Sequence, residues 1–362
     1  MMVWLGIDVH KGTHTAAAVD QVGRELDQIR VRATDAGHRQ LLRWARACWP
    51  QAQLRFAVED CRQVSTRLER ALLAAGQQVV RVPPQLMAGA RASARTRGKS
   101  DPIDALAIAR AALREPDLPV AAHDPESRRL KLLVDHREDL VNTRTQAQNR
   151  LRWHLHELDP ELDPPARSLD RISMLDRLAA WLAARAEQIG DDVAPADTVV
   201  VVRIAAELVT DITVLTRRIN ALERELTDAV RQAAPRLLAL PGCGPLTAAK
   251  IVGETANVTR FRSEACYAMH AGVAPIPASS GNTTRHRLAR GGNRQLNAAL
   301  HRIAITQIRL TGPGRAYYQR RRDTGDTTME ALRALKRRLA RTVFTLLQPH
   351  HPAPPNALPT AA

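Results

Sequence analysis

Two aspartates, Asp101 and Asp104, stand where a basic loop turns into a predicted helix, in the stretch RTRGKSDPIDALAIARAAL. Pro102 suits the first position of a helix, so we expect Asp101 to be the N-cap. Asp104 then falls in the first turn, where a negative charge complements the helix dipole. Capping alone would explain this pair. A catalytic role requires further carboxylates that reach the same point from elsewhere in the chain.

Strands and helices alternate in the first part of the chain. Three short runs, VWLGIDV, THTAAAVD and RELDQIRV, predict a meander of three strands. A helix from Gly37 to Cys48, the strand QLRFAVE, a helix that ends at Gly76 and the strand QQVVRVP are predicted to follow. This order is typical of a ribonuclease H-like mixed sheet, in which the first and fourth strands lie side by side and their ends meet a later helix.

Such a sheet would bring two more carboxylates to the start of that helix. Asp8 lies on the first strand, in GIDVHK, and Glu59 ends the fourth, in RFAVED. Four converging carboxylates repel one another unless a divalent cation neutralises them. Oxygen ligands without histidine or cysteine favour Mg²⁺ or Mn²⁺, and two such ions about 4 Å apart can clamp both oxygens of a phosphoryl displacement.

Each of these residues also has a plainer interpretation. Asp8 would serve equally as a turn residue at a strand end, and Glu59 as an exposed carboxylate. His10 has no partner at ligand spacing, so it is assigned a structural or phosphate-contacting role. The metal-site hypothesis therefore depends on the convergence of all four carboxylates.

The charge of the chain indicates a polyanionic partner. Its 362 residues include 53 Lys and Arg against 37 Asp and Glu, a formal net charge of +16 with a pI near 10.9. Between Ser279 and Arg341 there are 15 basic residues and only 3 acidic ones. The C-terminal third is therefore the basic end of the molecule.

Several classes of protein are disfavoured by composition. The four cysteines have neither zinc-ligand spacing nor the pattern of a disulfide framework; they are Cys48, Cys61, Cys243 and Cys266. The sequence contains no run of 18 apolar residues that could form a membrane helix, and the N-terminus lacks the apolar stretch of a signal peptide. We expect a soluble, untargeted protein made in a reducing cytoplasm.

The middle of the chain is predicted to be helical. After the Pro-rich break EPDLPVAAHDPES, the stretch LKLLVDHREDLVNTRTQAQNRLRWHLHEL indicates one long basic helix. A second long helix carries a heptad seam of apolar residues at spacings of 4, 3, 4, 3 and 4: Leu208, Ile212, Leu215, Ile219, Leu222 and Leu226. The seam either packs within one chain or joins two protomers.

Two glycine-containing motifs follow. LLALPGCGPLTAAKIVGE would expose the backbone N–H groups of Gly242 and Gly244 at a helix start, where a phosphate can bind, as in a helix-hairpin-helix; the alternative is a plain turn between helices. GVAPIPASSGNTTRHRLARGGNRQLNAALHRIA contains two serines, several arginines, and a Gly-Gly-Asn sequence that starts a helix. By its chemistry alone Ser-Gly-Asn is a turn, because a nucleophilic serine needs activation by a base, a metal or a strongly cationic pocket.

These motifs together resemble those of the insertion-sequence one-ten family of transposases. The resemblance is carried by GIDVHK, AVED, KSDPIDA, LPGCGPLTAAKI and HAGVAPIPASSGN with RGGNRQLNAALHRIA, and it extends from Leu5 to about Ala340. It implies a DEDD-type DNA recombinase with a RuvC-like first domain, guided by a bridge RNA that is encoded outside these residues. The acidic tetrad alone is shared with Holliday-junction resolvases.

The resemblance also implies roles for individual residues. The metal-binding tetrad would be Asp8, Glu59, Asp101 and Asp104. Ser280, immediately before Gly281, matches a catalytic serine that attacks a DNA phosphate and becomes joined to the strand; Ser279 is a lesser candidate. The ions would activate this serine, with Arg285 or Arg287 assisting, and no ATP is needed because the protein-linked intermediate conserves the phosphodiester energy. Predicted nucleic-acid contacts are Gly242, Gly244, Arg285, Arg287, Arg290 and Arg294.

The predicted organisation follows from these assignments. It comprises a ribonuclease H-like DEDD domain at 1–115, a helical coiled-coil and dimerisation region at 126–233, a C-terminal transposase domain at 234–347, and a disordered tail at 348–362. The implied partners are donor and target DNA, the bridge RNA and further copies of the chain, as a dimer or tetramer with a composite site; no membrane is expected. The region from Gly190 to Val202 matches no motif of the family. We expect the protein to lie in the cytoplasm of a prokaryote, at the nucleoid.

Two other functions account for part of the sequence. A metal-dependent nuclease of the Holliday-junction-resolvase type would use water as the nucleophile, not a serine. A nucleic-acid-binding regulator without catalysis would need the arginines but none of the carboxylates. The intact tetrad argues against the regulator.

Overall fold

The computed structural model describes residues 1–59, 64–92, 100–115, 118–191, 195–278, 286–287, 289 and 291–349. The chain forms two compact units, one made of Met1–Pro125 with Thr255–Ala362 and the other of Glu126–Glu254. The four-part division predicted above is drawn by expected function and stays a prediction. The predicted disordered tail lies outside the described residues from position 350 onward.

The first unit opens with a sheet and the helices that cover it. Its elements are β1 (Met2–Val9), β2 (Thr13–Val19), β3 (Glu25–Arg32), α1 (Asp35–Cys48), β4 (Gln53–Glu59), α2 (Thr66–Ala74), β5 (Gln78–Val82), α3 (Pro84–Ala92) and α4 (Asp101–Arg114). The strand order is β3-β2-β1-β4-β5. β1, β2 and β3 are antiparallel neighbours, whereas β4 lies parallel to β1 and β5 parallel to β4. The predicted meander and the predicted contact of the first and fourth strands are both confirmed.

The two faces of the sheet carry different cores. Alternate residues of β1 point to opposite faces, because the side-chain period of a strand is two. One face packs in a core with α1 and α2 and receives Val3, Leu5, Ile7 and Val9. On the other face Trp4 packs in a core with Ile108 and Ala109 of α4. The even-numbered positions of β1 therefore face α4.

The second unit is helical. It contains α5 (Pro125–Leu158), a short 3₁₀ turn at Ser168–Asp170, α6 (Ile172–Asp191), α7 (Ala196–Ala233), α8 (Pro235–Leu238) and α9 (Pro245–Thr255). The long basic helix predicted after the Pro-rich break is confirmed as α5. Residues 239–244, which hold the Pro-Gly-x-Gly turn of the predicted helix-hairpin-helix motif, connect the four-residue α8 to α9. Binding of a phosphate at that turn remains a prediction.

The heptad seam lies along α7. Of its six residues Leu208, Ile212, Ile219 and Leu226 are buried within the chain. Leu208 and Ile212 share a core with Leu151 of α5 and Leu178 of α6. At this end the seam thus packs against helices of its own chain, so an intermolecular coiled coil is not needed to cover it. Dimerisation through this region stays a prediction.

Polar contacts fix the antiparallel alignment of α5 with α7. Arg137 of α5 pairs with Glu223 of α7, at 3.0 Å from its Nε to the carboxylate. Farther along α5, the Nη1 of Arg144 donates to the Thr216 hydroxyl of α7 at 3.3 Å. Residue numbers rise along α5 as they fall along α7, which defines the antiparallel pairing.

Two partly buried ion pairs hold α9 against α5. Lys131 pairs with Glu254, and Lys250 pairs with Glu138. Burial acts to lower the pKa of Lys131, but its hydrogen bonds and charge pairing with Glu254 and with Asp135 outweigh burial, and the pKa is raised. The ammonium therefore stays charged in the folded protein.

The rest of the first unit is a second helical layer. Its elements are a 3₁₀ turn at Val258–Arg260, α10 (Glu264–His270), the short strands β6 (Ile276–Pro277) and β7 (His286–Arg287), α11 (Arg294–Arg309), α12 (Pro313–Asp323) and α13 (Thr328–Leu347). Asn293 caps α11 by accepting from the backbone of Gln295 and Leu296, so the predicted helix start at Gly-Gly-Asn is confirmed. Arg260 donates to the carbonyl of Val120 at 2.9 Å and links this layer to the segment beside β5. None of the described helices is long and apolar enough to cross a membrane.

A buried histidine pair lies between β2 and α1. His14 and His38 are both almost fully buried, with 3.3 Å between their Nε2 atoms and their rings stacked. Neither Nδ1 atom has a hydrogen-bond partner within the described part of the chain. Burial, assisted by His38, lowers the pKa of His14 to about 4. Both rings are consequently neutral at physiological pH.

We expect the protein to lose stability as the pH falls below the ordinary histidine value. The unfolded chain binds a proton at His14 with a pKa near 6.5, whereas the folded chain binds it only near pH 4. The contribution of the neutral His14 ring to the free energy of unfolding is therefore fully present above the pKa of the unfolded chain. It is lost progressively as the pH falls below that pKa, by about 3 kcal/mol in total. Urea unfolding followed by tryptophan fluorescence across this pH range measures the loss. His14→Gln should flatten the pH dependence, and an unchanged slope in that variant would contradict the assignment.

Candidate active site

Three side chains from two elements meet at one edge of the sheet. Asp8 is the penultimate residue of β1, His10 follows the strand, and Asp101 begins α4. The His10 Nε2 lies 3.0 Å from the Asp8 Oδ2 and 3.5 Å from the Asp101 Oδ1. One potential ligand atom from each residue lies within 4.8 Å of the other two. Asp8 and Asp101, predicted from the sequence to converge, are thus close to the same point.

The start of α4 differs by one residue from our prediction. Ser100, with an extended backbone, occupies the N-cap position that we assigned to Asp101. The reason is that the backbone N–H of Asp104 donates to the carbonyl of Ser100, which closes the first helical turn one residue earlier. Asp101 and Asp104 both fall within that first turn. The Asp101 carboxylate is therefore not used as the helix cap and faces His10.

Gly6 allows α4 to approach β1 this closely. A Cβ at position 6 would lie 2.2 Å from the Ala105 carbonyl oxygen and 2.3 Å from the Ala109 nitrogen. Real Cβ atoms do not approach backbone so closely, so any side chain here would push α4 away. Because Asp8 is two residues farther along the same face, this contact sets the distance between Asp8 and the start of α4.

Glu59 ends β4 at the same edge. The parallel pairing of β1 with β4 runs to Ile7 and Val58, so the next residues, Asp8 and Glu59, are neighbours across the strands. Glu59 is partly buried and has polar interactions of its own. It and Asp104 lie outside the compact group formed by Asp8, His10 and Asp101.

The environment of Asp8 disfavours its charge. Burial raises the pKa of the Asp8 carboxyl above its ordinary value, and the negative charges of Asp104 and Asp101 act in the same direction. His10 opposes them through its charge and its hydrogen bond. The Nη2 of Arg30 lies 3.6 Å from the Asp101 Oδ2. Burial and the negative charges of Asp101 and Asp104 disfavour the ionised Asp8 carboxylate, a condition under which a divalent cation bound beside it would be stabilising.

The sequence did not predict that His10 meets the two aspartates. A structural or phosphate-contacting role is predicted for it, because it has no partner at ligand spacing within the sequence. Its partner across the site, Asp101, is ninety-one positions away. The signal available was the period of two, since a residue two positions after Asp8 continues on the same face of the strand.

The remaining predicted residues are distributed as follows. Ser279, Ser280, Arg285 and Arg290 lie outside the described residues. Arg287 is exposed on β7 and Arg294 is exposed at the start of α11. Gly242 has a φ of +84°, a left-handed conformation that favours glycine, whereas Gly244 leaves open space around its Cβ position. The backbone conformation of the turn between α8 and α9 therefore favours glycine at position 242.

Comparison with known proteins decides the family. A transposase family model named DEDD_Tnp_IS110 matches residues 5–160, and a model described as the transposase IS116/IS110/IS902 family matches residues 234–319. The 44.8 kDa protein of insertion element IS116 from Streptomyces clavuligerus is 31% identical to the chain, over 98% of this chain and 97% of its own length. The chain belongs to the IS116/IS110/IS902 family of transposases. It is accordingly an enzyme of DNA transposition.

A second insertion-element relative agrees with this transposase assignment. The 42 kDa protein of insertion element IS900 from Mycobacterium paratuberculosis is 28% identical, over 97% of this chain and 98% of its own length. Among solved structures, T. thermophilus RuvC in complex with a Holliday junction substrate matches 33% of the transposase chain and all of its own chain, at 16% identity and a TM-score of 0.26. A second Thermus thermophilus RuvC structure has a TM-score of 0.25 at 21% identity.

We expect Gly6→Ala to disrupt the site of this transposase. The added methyl group meets the backbone of α4, so the helix must move, and overpacking of this kind destabilises by about 1–3 kcal/mol. Chemical denaturation measures the loss, and transposition activity should fall with it. Gly12→Ala is the matched control, because a Cβ at Gly12 meets nothing within 4 Å. Equal stability of the two variants would refute the close-packing argument.

We expect Asp8→Asn to raise the thermal unfolding midpoint in the presence of EDTA. The substitution removes a charge that burial and two neighbouring carboxylates disfavour. Added Mn²⁺ should raise the midpoint of the wild type, because a ligand that binds only the folded state stabilises it, and should raise that of the variant less. Asp176→Asn, at an exposed position of α6, is expected to change neither result. A lower midpoint for Asp8→Asn in EDTA would contradict this account of the site.

Proposed function

We propose that this transposase cuts, joins and exchanges DNA strands through a covalent serine–DNA intermediate, at a site built on divalent-cation-binding carboxylates. The observation that carries the proposal is the convergence of Asp8 and Asp101 at the edge of the sheet in a chain of a transposase family. A buried carboxylate such as Asp8, with a second carboxylate beside it, reduces stability, so its presence here favours a function that needs it.

The donor set suits a divalent cation. Asp8 and Asp101 would hold it, with Glu59 and Asp104 completing a DEDD tetrad from the same edge of the sheet. Mg²⁺ or Mn²⁺ fits best, because carboxylate oxygen is their preferred ligand. When bound, such ions neutralise charge on a phosphate and favour loss of a proton from an attacking hydroxyl.

The nucleophile in this proposal is Ser280. Its hydroxyl oxygen attacks the phosphorus of one DNA phosphodiester and loses its proton, while the bond to one sugar oxygen breaks and that oxygen gains a proton. The new serine phosphodiester conserves the energy of the broken bond, so a DNA hydroxyl can later displace Ser280 and rejoin a strand without ATP. Arg285 or Arg287 would stabilise the negative charge of the transition state. The proposal for Ser280 is supported by its place before Gly281 in a region matched by the family model.

DNA and a guide RNA are the proposed nucleic-acid partners. Exposed arginines on α12 support phosphate binding: Arg315, Arg320, Arg321 and Arg322. The guanidinium of Arg338 lies 4.9 Å from the centre of the Tyr317 ring, which adds an aromatic group to this basic region. Phosphate contacts of this kind do not distinguish DNA from RNA. The bridge RNA is proposed from the family resemblance, and so is a dimer or tetramer in which two chains complete one site.

Trapping of the covalent intermediate tests the proposal. Labelled donor DNA, Mg²⁺ and co-expressed flanking RNA are combined with the wild type, Ser280→Ala, Ser279→Ala or Asp104→Ala, and the products are separated on a denaturing gel. We expect a protein–DNA adduct that protease removes for the wild type and for the neighbouring control Ser279→Ala. Ser280→Ala and Asp104→Ala should form none.

The other outcomes identify the competing functions. If Ser280→Ala still cuts DNA and no enzyme forms an adduct, the protein is a hydrolytic nuclease that uses water, and the serine mechanism is wrong. If Asp8→Ala and Asp104→Ala retain every activity, and only arginine substitutions weaken nucleic-acid binding, the protein is a binding regulator.

A further inference from the structure

His10 lies beside two of the four proposed DEDD carboxylates although it is not a member of that tetrad. Its ring Nε2 contacts two carboxylates at once, Asp8 on one element and Asp101 on another. These are the ring's only polar contacts within the described part of the chain, so its orientation is set by the site. The His10 side chain is 52% exposed, whereas that of Asp8 is 7% exposed. A half-exposed imidazole held against a buried carboxylate can turn without disturbing the core.

The distances suit one shared coordination sphere. Neighbouring donors around an octahedral ion with bonds of about 2.1 Å lie about 3 Å apart. The Nε2 of His10 is 3.0 Å from the Asp8 Oδ2 and 3.5 Å from the Asp101 Oδ1. All three donor atoms lie within 4.8 Å of one another. The imidazole nitrogen thus lies, from each of the two carboxylate oxygens, at about the spacing of neighbouring ligands of a single ion.

We propose that His10 is a nitrogen ligand of the same cation that Asp8 and Asp101 bind, which makes this site selective for Mn²⁺ over Mg²⁺. The inference rests on the proposed metal-dependent function and adds a ligand of a different chemical kind. Imidazole binds first-row transition metals better than it binds Mg²⁺, which prefers oxygen and dehydrates reluctantly. A purely carboxylate site would lack this discrimination.

The alternative role for His10 is a hydrogen-bonding one, in which the imidazole only holds the two carboxylates in position. Both roles weaken binding when His10 is removed, so affinity alone does not separate them. They differ in two respects. A ligand nitrogen couples magnetically to bound Mn²⁺, and its loss affects Mn²⁺ more than Mg²⁺.

Direct metal binding tests the inference on the full-length protein. Mn²⁺ and Mg²⁺ affinities are measured by calorimetry for the wild type, His10→Ala, Asp8→Asn and the control His136→Ala, which removes an exposed histidine of α5. We expect His10→Ala to weaken Mn²⁺ binding about tenfold or more and to weaken Mg²⁺ binding distinctly less. His136→Ala should match the wild type.

A spectroscopic measurement supplies the second readout. Pulsed electron paramagnetic resonance of the Mn²⁺ complex should show a histidine nitrogen coupling that changes when histidine is labelled with ¹⁵N. The coupling should persist in His136→Ala and disappear in His10→Ala. A coupling that is absent from the wild type, or that survives in His10→Ala, overturns the ligand role.

Failure of this inference is distinguishable from failure of the proposed function. If Asp8→Asn loses metal binding while His10→Ala binds both ions like the wild type, the carboxylate site stands and His10 is not a ligand. If Asp8→Asn binds both ions as the wild type does, the metal site itself is wrong and the inference falls with it. A readout of binding, and not of transposition, keeps the result independent of Ser280 and of the guide RNA.

Discussion

The direct packing of α4 on β1 is the contact on which the candidate site depends. At Gly6 the backbone of the helix comes within a distance that no side chain would permit. The strand and the helix are thereby held close together, and the carboxylates at their ends have no freedom to separate. Repulsion between Asp8 and the first turn of α4 is balanced by the buried apolar contacts beneath, where Ile108 and Ala109 pack on the sheet.

At Asp8, local electrostatics and core packing act in opposite directions. Burial and neighbouring charge both disfavour the ionised form of Asp8, yet the core around Trp4 and α4 fixes it there. A charge that is disfavoured in this way reduces the stability of the fold. His10 and Arg30 reduce the repulsion without removing it, since both side chains are more than half exposed and are screened by water. In the proposed metal site, a bound cation would neutralise the remaining charge.

Different contacts hold the helical unit together. The long helices α5 and α7 are aligned by polar pairs between them and by an apolar core with α6. Part of the heptad seam is used inside the chain, so the pattern that suggested an interface between protomers is also satisfied by intramolecular packing. Trp153 of α5 remains exposed on this unit, outside the seam.

The prediction of individual elements succeeded where the signal was local. The alternating strands, the long helix α5 and the helix start at Asn293 each follow from periodicity or capping within a short window. The N-cap of α4 was placed one residue too late, because Ser and Asp are nearly equivalent caps and the choice between them is made by which carbonyl closes the first turn. The full tetrad and Ser280 remain predictions.

The sequence alone determines the order of strands and helices, the basic C-terminal third and the family, because periodicity, charge and motifs are properties of the chain itself. Only the tertiary structure decided that α4 touches β1 at Gly6, that His10 joins Asp8 to Asp101, and that the seam of α7 is partly covered by α5 and α6. Each of these arrangements includes a contact between residues far apart in the sequence. Their distances depend on how complete elements pack, and no local pattern of residues records that packing.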